Sequence, residues 1–112
     1  MSNFKPEGRT PVLDDATMRS LGFTDHRPDY WYLCRRVDNN GHVTLNITIQ
    51  KETGYYTELV MNEDFGQPEY YGRMKPEYRD LYRDTVDFHI DSLKKAGLTI
   101  TVDHREYGCD DG

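Results

Sequence analysis

His42-Val43-Thr44-Leu45-Asn46-Ile47-Thr48-Ile49-Gln50 is the stretch whose reading decides the fold. Val43, Leu45, Ile47 and Ile49 alternate with Thr44, Asn46, Thr48 and Gln50, so a strand here turns one apolar side to a core and one polar side away from it. Such a strand belongs to an antiparallel sheet covered on one face, because a strand buried on both faces is apolar throughout. Upstream, Tyr30–Val37 is rich in aromatic and branched residues and reads as a second strand. Asp38-Asn39-Asn40-Gly41 joins the two as a turn. Downstream, Lys51-Glu52-Thr53-Gly54 is a tight hairpin turn closing on a left-handed glycine, and Tyr55–Met61 pairs back. In that returning strand, Leu59 and Met61 are expected to join the core aliphatics, leaving Tyr56 and Glu58 outside.

Helices flank this meander. Asp14–Gly22 reads as a short helix, capped by Asp14 and closed by Gly22, with Leu13, Met18 and Leu21 as its anchoring side. Pro76 opens a much longer one, since a missing N–H costs nothing in a first turn. At ~100° per residue, with Tyr78 at 0°, residues Leu81, Tyr82, Val86, Phe88, His89, Ile90, Leu93 and Ala96 fall between about 280° and 120°. The charged residues Asp80, Arg83, Asp84, Asp87, Asp91, Lys94 and Lys95 fall between about 140° and 260°. Lys94 and Lys95 suit the last turn, and Gly97 ends the helix. Leu98–Val102 alternates again and reads as a last strand. The expected fold is α+β, a four-stranded, mainly antiparallel sheet with one long amphipathic helix on one face, in the order α-β-β-β-α-β. Residues 1–112 form one domain, with 1–12 as an extended arm and 105–112 as a mobile acidic tail.

Charge narrows the partners. Fourteen Lys+Arg against twenty Asp+Glu give a net charge of −6. Residues 1–62 carry 7 basic and 8 acidic side chains, and residues 63–112 carry 7 and 12. A phosphate backbone needs clustered Lys and Arg, so nucleic-acid binding is disfavoured. The longest apolar run, Tyr30–Cys34, is far short of the ~20 residues that a bilayer requires, so no membrane association is expected. Met1–Glu7 lacks a secretory pattern, which points to a cytoplasmic protein with Cys34 and Cys109 as reduced thiols.

A helix on one face leaves the other sheet face bare. Trp31, Leu33 and Val37 are expected inward and Tyr30, Tyr32, Cys34 and Arg36 outward. With Tyr56, these make a Tyr-Thr-Arg surface suited to a protein partner or to a second copy in a homodimer. The 62–75 loop, with Phe65, Tyr70 and Tyr71 among Glu63, Asp64 and Glu69, offers a second, acidic-aromatic docking patch. Two other readings compete. Asp25-His26 in a loop resembles a carboxylate-oriented base for a small-molecule enzyme. Tyr30, Tyr32 and Tyr56 would stack single-stranded bases if Arg27, Arg35, Arg36 and Lys51 formed a positive stripe. His89 lies within the helical stripe and reads as a core or interface residue. His104 and Cys109 are two ligands, which do not make a metal site. Cys34 has no base beside it in the chain. No cofactor is expected, because the chain lacks a phosphate loop, a CxxC pair and a nucleophile elbow.

Overall fold

The computed structural model describes residues 6–109. Five strands, β1 (Gly8–Arg9), β2 (Tyr30–Arg36), β3 (Val43–Gln50), β4 (Tyr55–Asn62) and β5 (Gln67–Pro68), form one antiparallel sheet. Its order is β1-β4-β3-β2, with β5 on the far end of β4. Helices α1 (Asp15–Ser20) and α2 (Pro76–Ala96) and two 3-10 turns, Tyr71–Arg73 and His104–Tyr107, complete the domain. This is the α+β architecture of an antiparallel sheet with one long helix.

Local chemistry explains the boundaries. α2 starts at Pro76, and Gly97 ends it at φ 114°, donating to Lys94 while Leu98 donates back to Leu93. α1 closes in the same way, Gly22 donating to Arg19 and Phe23 to Met18. Phe23 is thereby buried beside Met18.

β2 faces as its pattern predicts, with Trp31, Leu33 and Val37 in the core. β4 does not. Ile49 pairs with Tyr56, Ile47 with Glu58 and Leu45 with Val60, and residues directly opposite each other share a face. Tyr56, Glu58 and Val60 are therefore buried, and Tyr55, Thr57, Leu59 and Met61 turn to the other face. The turn dictates this register. Four residues, 51–54, separate Gln50 from Tyr55, which sets the outward Gln50 against Tyr55 and Ile49 against Tyr56.

Four further expectations are corrected. Leu98–Val102 is not a strand, because β1 and β5 occupy the two ends of the β4 edge. The segment is tied by side chains instead: Thr99 N–H donates to the Thr10 hydroxyl and Thr101 N–H to the Tyr56 hydroxyl. Leu98 and Ile100 are buried all the same. The tail is ordered through residue 109, with Tyr107 and Cys109 in the core; residues 110–112 lie outside the described chain. Finally, α2 buries only Val86, Ile90 and Leu93 of its broad apolar arc, while Tyr78, Leu81 and Phe88 stay exposed. The arm between residues 6 and 12 includes β1, so part of it belongs to the sheet.

The tail docks by backbone contact. A Cβ added at Gly72 would lie 2.1 Å from the Gly108 carbonyl carbon and 2.3 Å from the Cys109 nitrogen. Gly72→Ala is expected to destabilise the domain by about 2 kcal/mol through this overlap. It should also raise hydrogen exchange selectively in residues 104–109, and wild-type exchange there would contradict the packing.

Candidate functional site

The bare sheet face is built from alternate residues of three strands. Cross-strand rows are Tyr32–Thr48–Thr57, Cys34–Asn46–Leu59 and Arg36–Thr44–Met61, with Tyr30, Gln50 and Tyr55 at one end. Cys34, Arg36 and Tyr55 are exposed, and the rest are half-buried except Thr44, whose hydroxyl donates to Glu63. At the β2 edge Thr24 pairs with Tyr32, and the His26 ring stacks on the Tyr32 ring at 4.4 Å. A depression of about 400 Å³ opens here, lined by Thr24, His26, Tyr32, Cys34, Asn46 and Thr48. The fold thus brings His26 and Cys34 to one depression, although nothing in their sequence spacing suggested it.

The other expected site residues divide. Tyr30 and Tyr32 lie on this face with their rings 6.0 Å apart, and Arg36 ends its row. Tyr56 does not belong to it: it is buried on the core side, as the register requires. Phe65 is 75% exposed at the tip of the β4–β5 turn, and Tyr70 is exposed under the Arg73 guanidinium. Tyr71 leaves that patch, fully buried and stacked on Tyr107 at 5.4 Å.

Asp25 does not orient His26. Its carboxylate accepts from Arg19 and Lys51, both at 2.9 Å, and these hydrogen bonds hold it below the usual carboxylate range. Arg19 and Lys51 also lie over the Trp31 ring. Arg35 points to the core side, donating to the Leu21 carbonyl and to Ser92, so Arg27, Arg35, Arg36 and Lys51 form no common stripe.

A polar chain crosses the covered side. Tyr107 donates its hydroxyl to Glu58 at 2.9 Å, and its oxygen accepts from the Val60 N–H at 2.9 Å. Tyr71 meets His104 Nδ1 through its hydroxyl, and His104 Nε2 reaches Asp87 at 2.7 Å. With Nε2–H donating a hydrogen bond to Asp87, Nδ1 carries no proton and accepts from the Tyr71 hydroxyl. Burial pushes both Tyr71 and Tyr107 hydroxyls above their ordinary range. These contacts clamp β4, α2 and the last turn together.

Glu58 is the costly member. It is buried, and Glu7 and Glu106 bring their carboxylates near it, with all three oxygens within 4.8 Å of one another. Burial, followed by the Glu7 charge, pushes Glu58 up to about 8, against the opposing effect of the Tyr107 hydrogen bond.

The DUF1831 family protein from Lactobacillus plantarum, known from a crystal structure, is similar to this chain in fold, with a TM-score of 0.65. The two are 14% identical, over 81% of this chain and 82% of that one. No protein-family model matches the chain, and no curated protein matches it in sequence. Among the described residues, no helix is long and apolar enough to cross a membrane.

The Glu58 proton should be visible in stability. The folded chain holds a proton that the unfolded chain releases near pH 4.5. This stabilisation is full below that pH and is lost as pH rises towards about 8. Glu58→Gln keeps an acceptor for Tyr107 and offers Glu7 a donor without titrating. Its Tm is expected to match wild type near pH 4.5 and to exceed it by about 5 °C at pH 8. A Tm below wild type at pH 8 would contradict a protonated Glu58.

Proposed function

We propose that this is a small, non-enzymatic protein-binding or regulatory domain that docks a partner protein on its bare sheet face. One observation carries the reading. The chain is 30% charged, yet the twelve alternate positions of β2, β3 and β4 on that face carry one charge, Arg36. A face exposed merely to water has no reason to shed its Lys, Glu and Asp, whereas the centre of an interface is depleted in them.

The inverted register of β4 strengthens this reading. Leu59 and Met61 add apolar area beside Asn46 and Thr44, on the same face as Tyr32 and Tyr55, so rigid rings, threonines and aliphatics share one surface. The depression between His26 and Asn46 offers a socket for one partner side chain, and Arg36 at the corner suits an acidic group opposite. A single arginine is a poor match for a phosphate backbone, which favours a protein over a nucleic acid.

Cys34 makes the test direct. It is exposed midway along the edge strand β2 of that face, whereas Cys109 is buried, so a bulky maleimide attaches at Cys34. Tyr32→Ala combined with Arg36→Ala, and separately the Cys34 adduct, should each weaken association with a partner purified from host lysate about tenfold or more. Tm should move by no more than about 3 °C. Association unchanged by both modifications would overturn the proposal. Sedimentation of the purified protein identifies a second copy as the partner if the dimer is lost in the same two samples.

A further inference from the structure

α2 carries two apolar seams, and the core uses one. Val86, Ile90 and Leu93 are buried, whereas Tyr78, Leu81 and Phe88 are 53%, 59% and 70% exposed. At ~100° per residue the buried seam lies at about 60–120° and the exposed one at about 280–360°. Lone exposed apolar residues are ordinary, but three aligned along one helix are a patch. Their spacing is that of a heptad seam: Tyr78, Thr85 and Ser92 recur every seven residues, as do Leu81 and Phe88. The flank beside the seam repeats too, as Glu77, Asp84 and Asp91, all exposed. On the opposite flank the turn after β2 closes the seam, with Arg36, Asp38, Asn39, Tyr82 and Thr85 around a groove of about 480 Å³.

We propose that this seam seats an amphipathic helix from a partner protein, with Lys or Arg on the flank that faces Glu77, Asp84 and Asp91. Tyr78 to Phe88 spans about 15 Å at 1.5 Å per residue, so the partner helix has at least three turns. Charge selects a basic partner, because flanking positions of a heptad seam set partner choice through opposite charge. The same flank argues against a second copy. Antiparallel self-pairing would set Glu77, Asp84 and Asp91 against the same acids of the other chain. Parallel self-pairing would need the flank of Tyr82 and His89, where His89 already contacts the Arg36 carbonyl through Nε2 at 2.9 Å.

Two synthetic peptides of three heptads test this, both with Leu at the seam, one with Lys and the other with Glu at every flanking position. Binding to the full chain is measured by fluorescence anisotropy. The Lys peptide should bind about tenfold or more tighter than the Glu peptide, and weaken severalfold between about 50 and about 300 mM salt. Leu81→Asp and Phe88→Asp should each cost tenfold or so, with helicity by circular dichroism unchanged. Glu77→Lys with Asp84→Lys and Asp91→Lys should invert the peptide preference, while Asp15→Lys with Glu52→Lys, away from the seam, should leave it in place. Equal binding of both peptides, loss of preference with the distant pair, or full binding by Leu81→Asp would each overturn the proposal. So would a wild-type dimer in sedimentation that Leu81→Asp dissolves. The Cys34 adduct should bind the Lys peptide normally, which separates this seam from the sheet face.

Discussion

A buried carboxyl on the middle strand edge must find a partner, and the hydrogen bond from Tyr107 to Glu58 organises the rest of the molecule. Tyr107 comes from the last turn of the described chain, so the segment after α2 has to reach β4 for that hydroxyl to serve both Glu58 and the Val60 N–H. Once there, Tyr107 stacks on Tyr71, and Tyr71 meets His104, which is held in turn by Asp87 of α2. Leaving the buried Glu58, Tyr71 or Tyr107 polar group unpaired would cost its full desolvation, about 1–3 kcal/mol. The outer edge of β4 is thus finished by short strands at its ends and by side chains at its centre. The Glu7 carboxylate receives the Glu58 N–H there, beside the Tyr107 hydroxyl.

This arrangement places α2 and the C-terminal turn on one side of the sheet and leaves the other side with almost no charge. The two surfaces proposed for docking differ in chemistry. The sheet face carries tyrosines towards one end and Arg36 as the one charge among its twelve alternate positions. The α2 seam is narrow and apolar, with acids along one rim.

Much of this was legible in the chain. The alternation of 43–50 and the aliphatics Leu33 and Val37 fix the faces of β2 and β3, and Pro76 with Gly97 brackets α2. The facing of β4 was also written there, in the four-residue turn 51–54, but side-chain polarity argued for the opposite choice. Leu59 and Met61 look more like core than Tyr56 and Glu58, and the register overrides that preference. The apolar arc of α2, about 200° wide, exceeds what one sheet contact covers. That excess was the signal that part of the helix stays outside. Tyr71, Tyr107 and Cys109 were hidden because each sits in a polar surrounding sequence, and their burial depends on long-range contacts that no local period reveals. The placement of His26 and Cys34 in one depression likewise follows from Thr24 pairing with Tyr32.

Solvent paramagnetic relaxation with a soluble gadolinium chelate, read on methyl resonances, tests the facing of β4 most directly. Leu59 and Met61 methyls are predicted to relax much faster than those of Val60, Ile47 and Val86, which are enclosed. Val60 relaxing as fast as Leu59 and Met61, or all three equally protected, would contradict a sheet with one covered and one open side.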